Sequence, residues 1–298
     1  MSKFKIDFIW LGAPKSGTTT IAKWLEEHPQ ISLYPHKEIN YFSNHTRVPM
    51  PSKDKYALGG IEWYKKLFEN TVDFSKTVWE FSVYYIYSEL AADRIKEYFP
   101  DVKLIIAIRE PISRCYSMYN MDKNLYQDMD LSFEEAIAKH PEYIESCKYS
   151  KYLKMYLDRF PKKNIKIILL DDLKNNSELT ASELFKFLWV DNVDNIDSLW
   201  KTINPAQVTK SRCLKKITWF FIKTARKLDN SFLWFIPKIW RKIWLVFILR
   251  KVDRKNKKDK GIIPSMKKET RQMLAKEFEE DILACEKILN RDLSAWKL

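Results

Sequence analysis

Four short apolar runs rich in β-branched residues recur along the chain with helical stretches between them: Ile6 to Leu11, Thr77 to Phe81, Lys103 to Ile108 and Ile165 to Leu170. Strands that are apolar on both faces must be covered on both, which happens when parallel strands are joined by crossover helices. The alternation therefore predicts an α/β fold of three layers, a central parallel sheet flanked by helices. A capping box from Ser132 to Glu135 marks one helix start, and Thr180 to Glu183 signals another. A helical pattern resumes after Pro264 and runs to about Asn290. At 298 residues and 46% hydrophobic content, the chain suits one large domain, residues 1–298, carrying an appendage.

Charge locates that appendage. The formal net charge is +13, yet residues 210–260 hold seventeen Lys or Arg against three Asp, an excess of fourteen that leaves −1 for everything else. The basic character belongs to one segment. Its cations alternate with aromatic residues, as in Trp240-Arg241-Lys242-Ile243-Trp244, and its longest apolar run, Ile243 to Leu249, falls well short of the roughly 20 residues that span a bilayer. This predicts a basic aromatic helical insertion, suited to the surface of an anionic membrane. A helical cover over the domain and an acidic-polysaccharide site are the alternatives. No nucleic-acid recognition module is present, so no nucleic-acid partner is expected. Four dispersed cysteines without a C-x-x-C pair and a first apolar run too short for a signal peptide point to the cytoplasm, peripheral at the inner membrane face.

The chemistry starts at the end of the first run. Leu11-Gly12-Ala13-Pro14-Lys15-Ser16-Gly17-Thr18-Thr19-Thr20 lies where a strand ends and a helix begins, a P-loop-like position. Helix N-termini offer unpaired N–H groups and a positive dipole end, Gly17 lets an anion approach the backbone, and Lys15 adds full charge. Lys15 precedes the second glycine, whereas the Walker A lysine follows it. A kinase also needs a carboxylate beside Mg²⁺, yet the run Lys103 to Ile108 ends in Arg109. Transfer without a metal is the expectation, with a P-loop-type kinase as the alternative. A second anion turn follows: Arg109, Pro111 in the first helical turn, then Arg114 and Ser117.

With both turns in this order, the sequence resembles the sulfotransferases that use 3′-phosphoadenosine 5′-phosphosulfate (PAPS). Pro14 to Thr20, followed by His28-Pro29, resembles the family's 5′-phosphosulfate loop, and Arg109, Pro111, Arg114 and Ser117 resemble its 3′-phosphate motif. Lys37 to Phe42 looks like the Glu-centred segment of the heparan sulfate and bacterial polysaccharide enzymes. The resemblance implies PAPS as co-substrate, leaving 3′-phosphoadenosine 5′-phosphate as product, and no metal. It implies donor binding by Lys15, Ser16, Gly17, Thr18, Thr19, Thr20, Arg109 and Ser117. Lys15 would stabilise the leaving phosphate, and Glu38 would be the general base toward a hydroxyl or amine of a glycan or glycolipid. One departure stands out: glycan-directed relatives carry Lys after the Glu that is Glu80 here, whereas this chain has Phe81. Glu80 itself is either a site residue or a strand-end cap. A non-catalytic adaptor at a membrane surface is the remaining alternative, and two intact anion turns weigh against it.

Overall fold

Strand β1 (Phe8–Gly12), helix α1 (Thr18–Glu27) and strand β2 (Ile31–Leu33) open the chain, followed by a short antiparallel pair, β3 (His45–Arg47) and β4 (Met50–Pro51). Helix α2 (Lys55–Glu69), β5 (Thr77–Phe81), α3 (Glu89–Tyr98), β6 (Lys103–Ile108) and α4 (Pro111–Leu125) come next. Then follow α5 (Phe133–Lys139), α6 (Glu142–Glu145), α7 (Tyr149–Leu157), β7 (Ile165–Leu169), α8 (Leu170–Asn175) and α9 (Ser177–Leu188). Strands β8 (Gln207–Thr209) and β9 (Lys257–Asp259) precede the long helix α10 (Lys268–Leu289). This computed structural model describes residues 4–35, 38–47, 50–51, 55–125, 131–193, 196–200, 207–209, 257–259 and 266–297. The chain divides into two compact units: Met1–Tyr119 with Leu131–Ile203 and Met266–Leu298, and Asn120–Asp130 with Asn204–Ser265.

The first unit is built on a five-stranded parallel sheet in the order β2-β5-β1-β6-β7. All four expected runs are strands in it. Strand β1 is central because its side chains are buried on both faces: Phe8 stacks on Trp79 at 5.2 Å and Trp10 on Phe81 at 5.8 Å. On that face the rings pack with Ile21, Trp24 and Leu25 of α1 and with Leu184 and Phe185 of α9. Full burial of one such side chain is worth about 1.5–3 kcal/mol, so this layer anchors α1 against the sheet.

Several boundaries differ from expectation for local reasons. Asp7 keeps β1 from starting at Ile6, because its carboxylate accepts the Val78 N–H at 2.7 Å. Leu170 opens α8 instead of ending β7, with Asp171 and Asp172 placed favourably in the first helical turn. The cap of α9 is Asn176, which accepts the Leu179 N–H; Thr180 sits inside the helix and donates its hydroxyl back to Asn176 O at 2.7 Å. The capping box of α5 is present as expected, and α10 ends at Asn290 in the left-handed conformation. Strand β2 is three residues long, too short to show a pattern. In the second unit β8 and β9 pair antiparallel, Thr209 opposite Lys257. The rest of the 210–260 segment, and with it the expected helical insertion, lies outside the described residues.

Candidate active site

The chain leaves β1 through Gly12, which has no room for a side chain: a Cβ there would lie 2.4 Å from Val83 O and 2.8 Å from Ile86 Cγ2. The next residue, Ala13, donates its N–H to Ala107 O at 2.8 Å, pinning the loop to β6. Lys15 (φ 69°) and Gly17 (φ 81°) both adopt the left-handed conformation, which for a non-glycine residue costs about 1 kcal/mol and marks Lys15 as held in place. A Cβ on Gly17 would sit 2.7 Å from Leu173 and 2.8 Å from Leu170. Gly17 is the N-cap of α1, and the first backbone bonds of the helix run from Thr20 and Ile21 to Gly17 O. The earlier N–H groups of the turn are therefore not used by the helix and face the loop, the arrangement that binds anions. Thr18 is buried, Thr19 and Thr20 are half-buried, and Ser16 is fully buried. Ser16 Oγ has no partner of hydrogen-bond geometry among the described residues; its polar neighbour is the Tyr149 hydroxyl.

The second turn leaves the neighbouring strand β6. Glu110 caps α4 with both carboxylate oxygens, accepting the N–H groups of Ile112 (3.1 Å) and Ser113 (2.7 Å), while Pro111 takes the first helical position. Arg109 is half-buried, and among the described residues no carboxylate lies within ion-pair distance of its guanidinium. Burial pulls its pKa below the ordinary value, opposed by Tyr149, Glu110 and Asp171. The Tyr149 hydroxyl donates to Arg109 O at 2.8 Å and accepts the Arg109 N–H at 3.3 Å, fixing the turn. Ser117 is half-buried, two turns into α4.

Arg114 faces inward. It is fully buried and donates through Nε to Pro14 O (2.9 Å) and through Nη1 to Ser146 O (2.7 Å) and Cys147 Sγ (3.0 Å), while Nη2 reaches the Tyr87 hydroxyl. One arginine thus braces the first loop from the helix of the second. Its spacing after Arg109 carried no sign of this role, and Tyr149 had no sequence signal at all.

Glu38 lies at the end of β5, on the other side of β1. Its N–H donates to Phe81 O at 2.8 Å, and its Oε2 accepts the N–H of Val83, the residue whose carbonyl abuts Gly12. The structure therefore brings Glu38 beside the first loop. Lys37 lies outside the described residues. Phe81 points away from the loop and is core, 5% exposed and stacked on Trp10. Glu80 points to the opposite face, fully buried among the hydroxyls of Tyr64, Ser82 and Tyr85. Burial pushes its carboxyl above the ordinary range, and the three hydroxyls and Lys55 oppose this. It neither caps the strand nor opens to the loop. Among the described residues no three His, Cys, Asp or Glu side chains converge as a metal site.

The sulfotransferase domain family matches residues 5–230. Over 148 residues the chain is 33% identical to the membrane-associated sulfotransferase kil1 of Dictyostelium discoideum, a match covering 47% of this chain and 29% of that protein. Over 172 residues it is 27% identical to the heparan sulfate glucosamine 3-O-sulfotransferase 5 of Mus musculus, covering 54% of this chain and 46% of that one. The chain thus spans less than half the length of these curated relatives. Its fold is that of a sulfotransferase from Alicyclobacillus acidocaldarius: TM-score 0.65 at 23% identity, covering 99% of both chains.

Proposed function

Because the chain belongs to the sulfotransferase domain family, we propose that it moves the sulfuryl group of PAPS onto a hydroxyl or amine of a glycan or glycolipid. The observation that carries the reading is the pairing of two anion-ready turns, Gly12 to Thr20 and Arg109 to Ser117, at the ends of adjacent parallel strands. Arg114 ties the helix of the second turn to the first loop, and Tyr149 fixes the second turn. A ligand with two separated anionic groups fits such a pair. The residues also fit it in detail: among the described residues Ser16 Oγ is buried without a hydrogen-bond partner and Arg109 has no ion pair, and Gly17 adopts the left-handed conformation at the head of α1.

When bound, PAPS supplies an activated sulfuryl group whose departure leaves charge on the 5′-phosphate. Lys15, Ser16 and the N–H groups of Gly17 to Thr19, with the hydroxyls of Thr18, Thr19 and Thr20, bind that phosphate, and Lys15 stabilises the charge. Arg109 and Ser117 hold the 3′-phosphate. Glu38 takes the proton of the acceptor, its carboxylate oriented by the Val83 N–H. No step calls on a metal.

A glycan acceptor is supported by the heparan sulfate enzymes among the relatives. For residues 210–260 we propose contact with an anionic membrane surface at the cytoplasmic face. Their interleaved cations and tryptophans support this, as does the relative described as membrane-associated. Among the described residues no helix is long and apolar enough to cross a membrane.

The test is calorimetric titration with 3′-phosphoadenosine 5′-phosphate without magnesium, beside Arg109→Ala and with ATP as control. Tight binding that the substitution removes, with ATP ignored, is the expected result. Binding of ATP alone, dependent on magnesium, would replace the reading with a kinase.

A further inference from the structure

We propose that Glu80 is a positioning residue for the transfer reaction: through Ser82 and Tyr85 it holds the 38–42 segment, and with it Glu38, in the conformation the base requires. The inference rests on the reading of Glu38 as the base. Glu80 is fully buried, and its carboxylate accepts three hydroxyls: Oε1 from Ser82 at 2.7 Å and Tyr85 at 2.8 Å, Oε2 from Tyr64 at 2.8 Å. Two of these hydroxyls are relays. Ser82 Oγ accepts the Asn40 N–H at 3.0 Å, and the Tyr85 hydroxyl accepts the Phe42 N–H at 3.2 Å.

Each hydroxyl has a single proton. By accepting from a backbone amide and bonding to Glu80, Ser82 and Tyr85 direct that proton at the carboxylate. Both relay protons fall on Oε1, so the relays need an acceptor oxygen at that position, which Glu80 supplies.

The segment it holds needs holding. Glu38 (φ 63°) and Asn40 (φ 49°) are both left-handed, a conformation that non-glycine residues keep only where the surroundings impose it. Four of the bonds on it come from residues 81–85: Phe81 O on the Glu38 N–H, the Val83 N–H on Glu38 Oε2, and the two relays, while Lys55 and Arg94 donate to Ile39 O and Phe42 O. An apolar residue at position 80 would fill the core at lower desolvation cost. A buried carboxylate there is explained by the two amides it reaches. Being enclosed by three donors, it does not touch substrate.

The relay makes a specific prediction, because Tyr64 bonds to Glu80 but leads to no amide of the segment. In the full chain, hydrogen exchange at residues 38–42 should quicken about three- to tenfold in Ser82→Ala and Tyr85→Phe, and at least as much in Glu80→Leu, which removes the acceptor oxygen. It should stay at the wild-type rate in Tyr64→Phe. Affinity for 3′-phosphoadenosine 5′-phosphate should remain within about twofold in all four variants. Turnover of ³⁵S-labelled PAPS with N-desulfated heparin, or sulfate release to water where that acceptor is not used, should show a lower kcat at unchanged KM for PAPS in the relay variants only. Unchanged exchange in Ser82→Ala and Tyr85→Phe would overturn the proposal, as would a parallel loss of nucleotide affinity. Failure of the base assignment is read separately: full turnover in Glu38→Gln would remove Glu38 as base, while exchange would still report whether Glu80 holds the segment.

Discussion

Arg109 and Arg114 stand five residues apart at the same helix start, and the structure assigns them opposite surroundings, which makes them a matched pair for substitution by methionine. In Arg114→Met the chain keeps most of its bulk but withdraws the guanidinium from Pro14 O, Ser146 O, Cys147 and Tyr87. Each buried carbonyl left without a donor costs about 1–3 kcal/mol, and breaking a buried charged network about 3–5 kcal/mol in all. For a chain of this size that corresponds to a fall in Tm of roughly 5–8 °C. Nucleotide affinity should fall with it, since Pro14 O is in the loop. Arg109→Met removes a half-buried cation that has no ion pair among the described residues and is disfavoured by burial, so its Tm should stay within about 2 °C of wild type. Its affinity for 3′-phosphoadenosine 5′-phosphate should drop about 10- to 100-fold, the worth of one charge-assisted bond. Differential scanning calorimetry and isothermal titration on the two variants separate the roles. The reasoning is refuted if Arg114→Met melts like wild type while losing affinity, or if Arg109→Met melts as early as Arg114→Met.

Three further outcomes follow from the same geometry. Gly12→Ala should destabilise more than Gly17→Ala in thermal melts, because the added Cβ meets a backbone carbonyl at position 12 and flexible leucine methyls at position 17. Glu38→Gln should lower turnover about 10²- to 10⁴-fold while calorimetry shows nucleotide binding unchanged. Burial draws Lys103 down to about 8 in the folded chain, so between that value and its ordinary 10.5 the unfolded chain binds more protons and stability rises with pH. Lys103→Met should flatten that rise in denaturant titrations compared at about pH 7.5 and 10.5.

The sheet was legible because burial on two faces leaves a composition signature: Thr77 to Phe81 and Lys103 to Ile108 are strands over the expected residues. The first anion turn was legible because a strand-to-helix junction with glycine and lysine is itself the chemistry. What the sequence could not carry was direction. Arg109 and Arg114 look alike on the page, and only the packing of α4 leaves one half-buried and takes the other into the core, where it reaches Pro14 O. Glu80 reads as a site candidate because nothing local reveals that Tyr64, sixteen residues earlier, and Tyr85 close over it. Thr180 failed as a cap signal because Asn176, four residues before it, competes for the same helix start.

Helix α10 lies past residue 230, where the family match ends. Yet Asp281 accepts the N–H groups of Tyr149 (2.7 Å) and Ser150 (3.0 Å), capping the helix whose first residue clasps Arg109. Trp296 donates its indole N–H to Asp171, and Arg291 pairs with Asp172, both on α8. The boundary drawn by family likeness is therefore not the boundary of the compact unit, which takes in residues 266–298. A chain cut at residue 230 would keep every group assigned here to the donor and still lose the C-terminal splint that keeps Tyr149 in place.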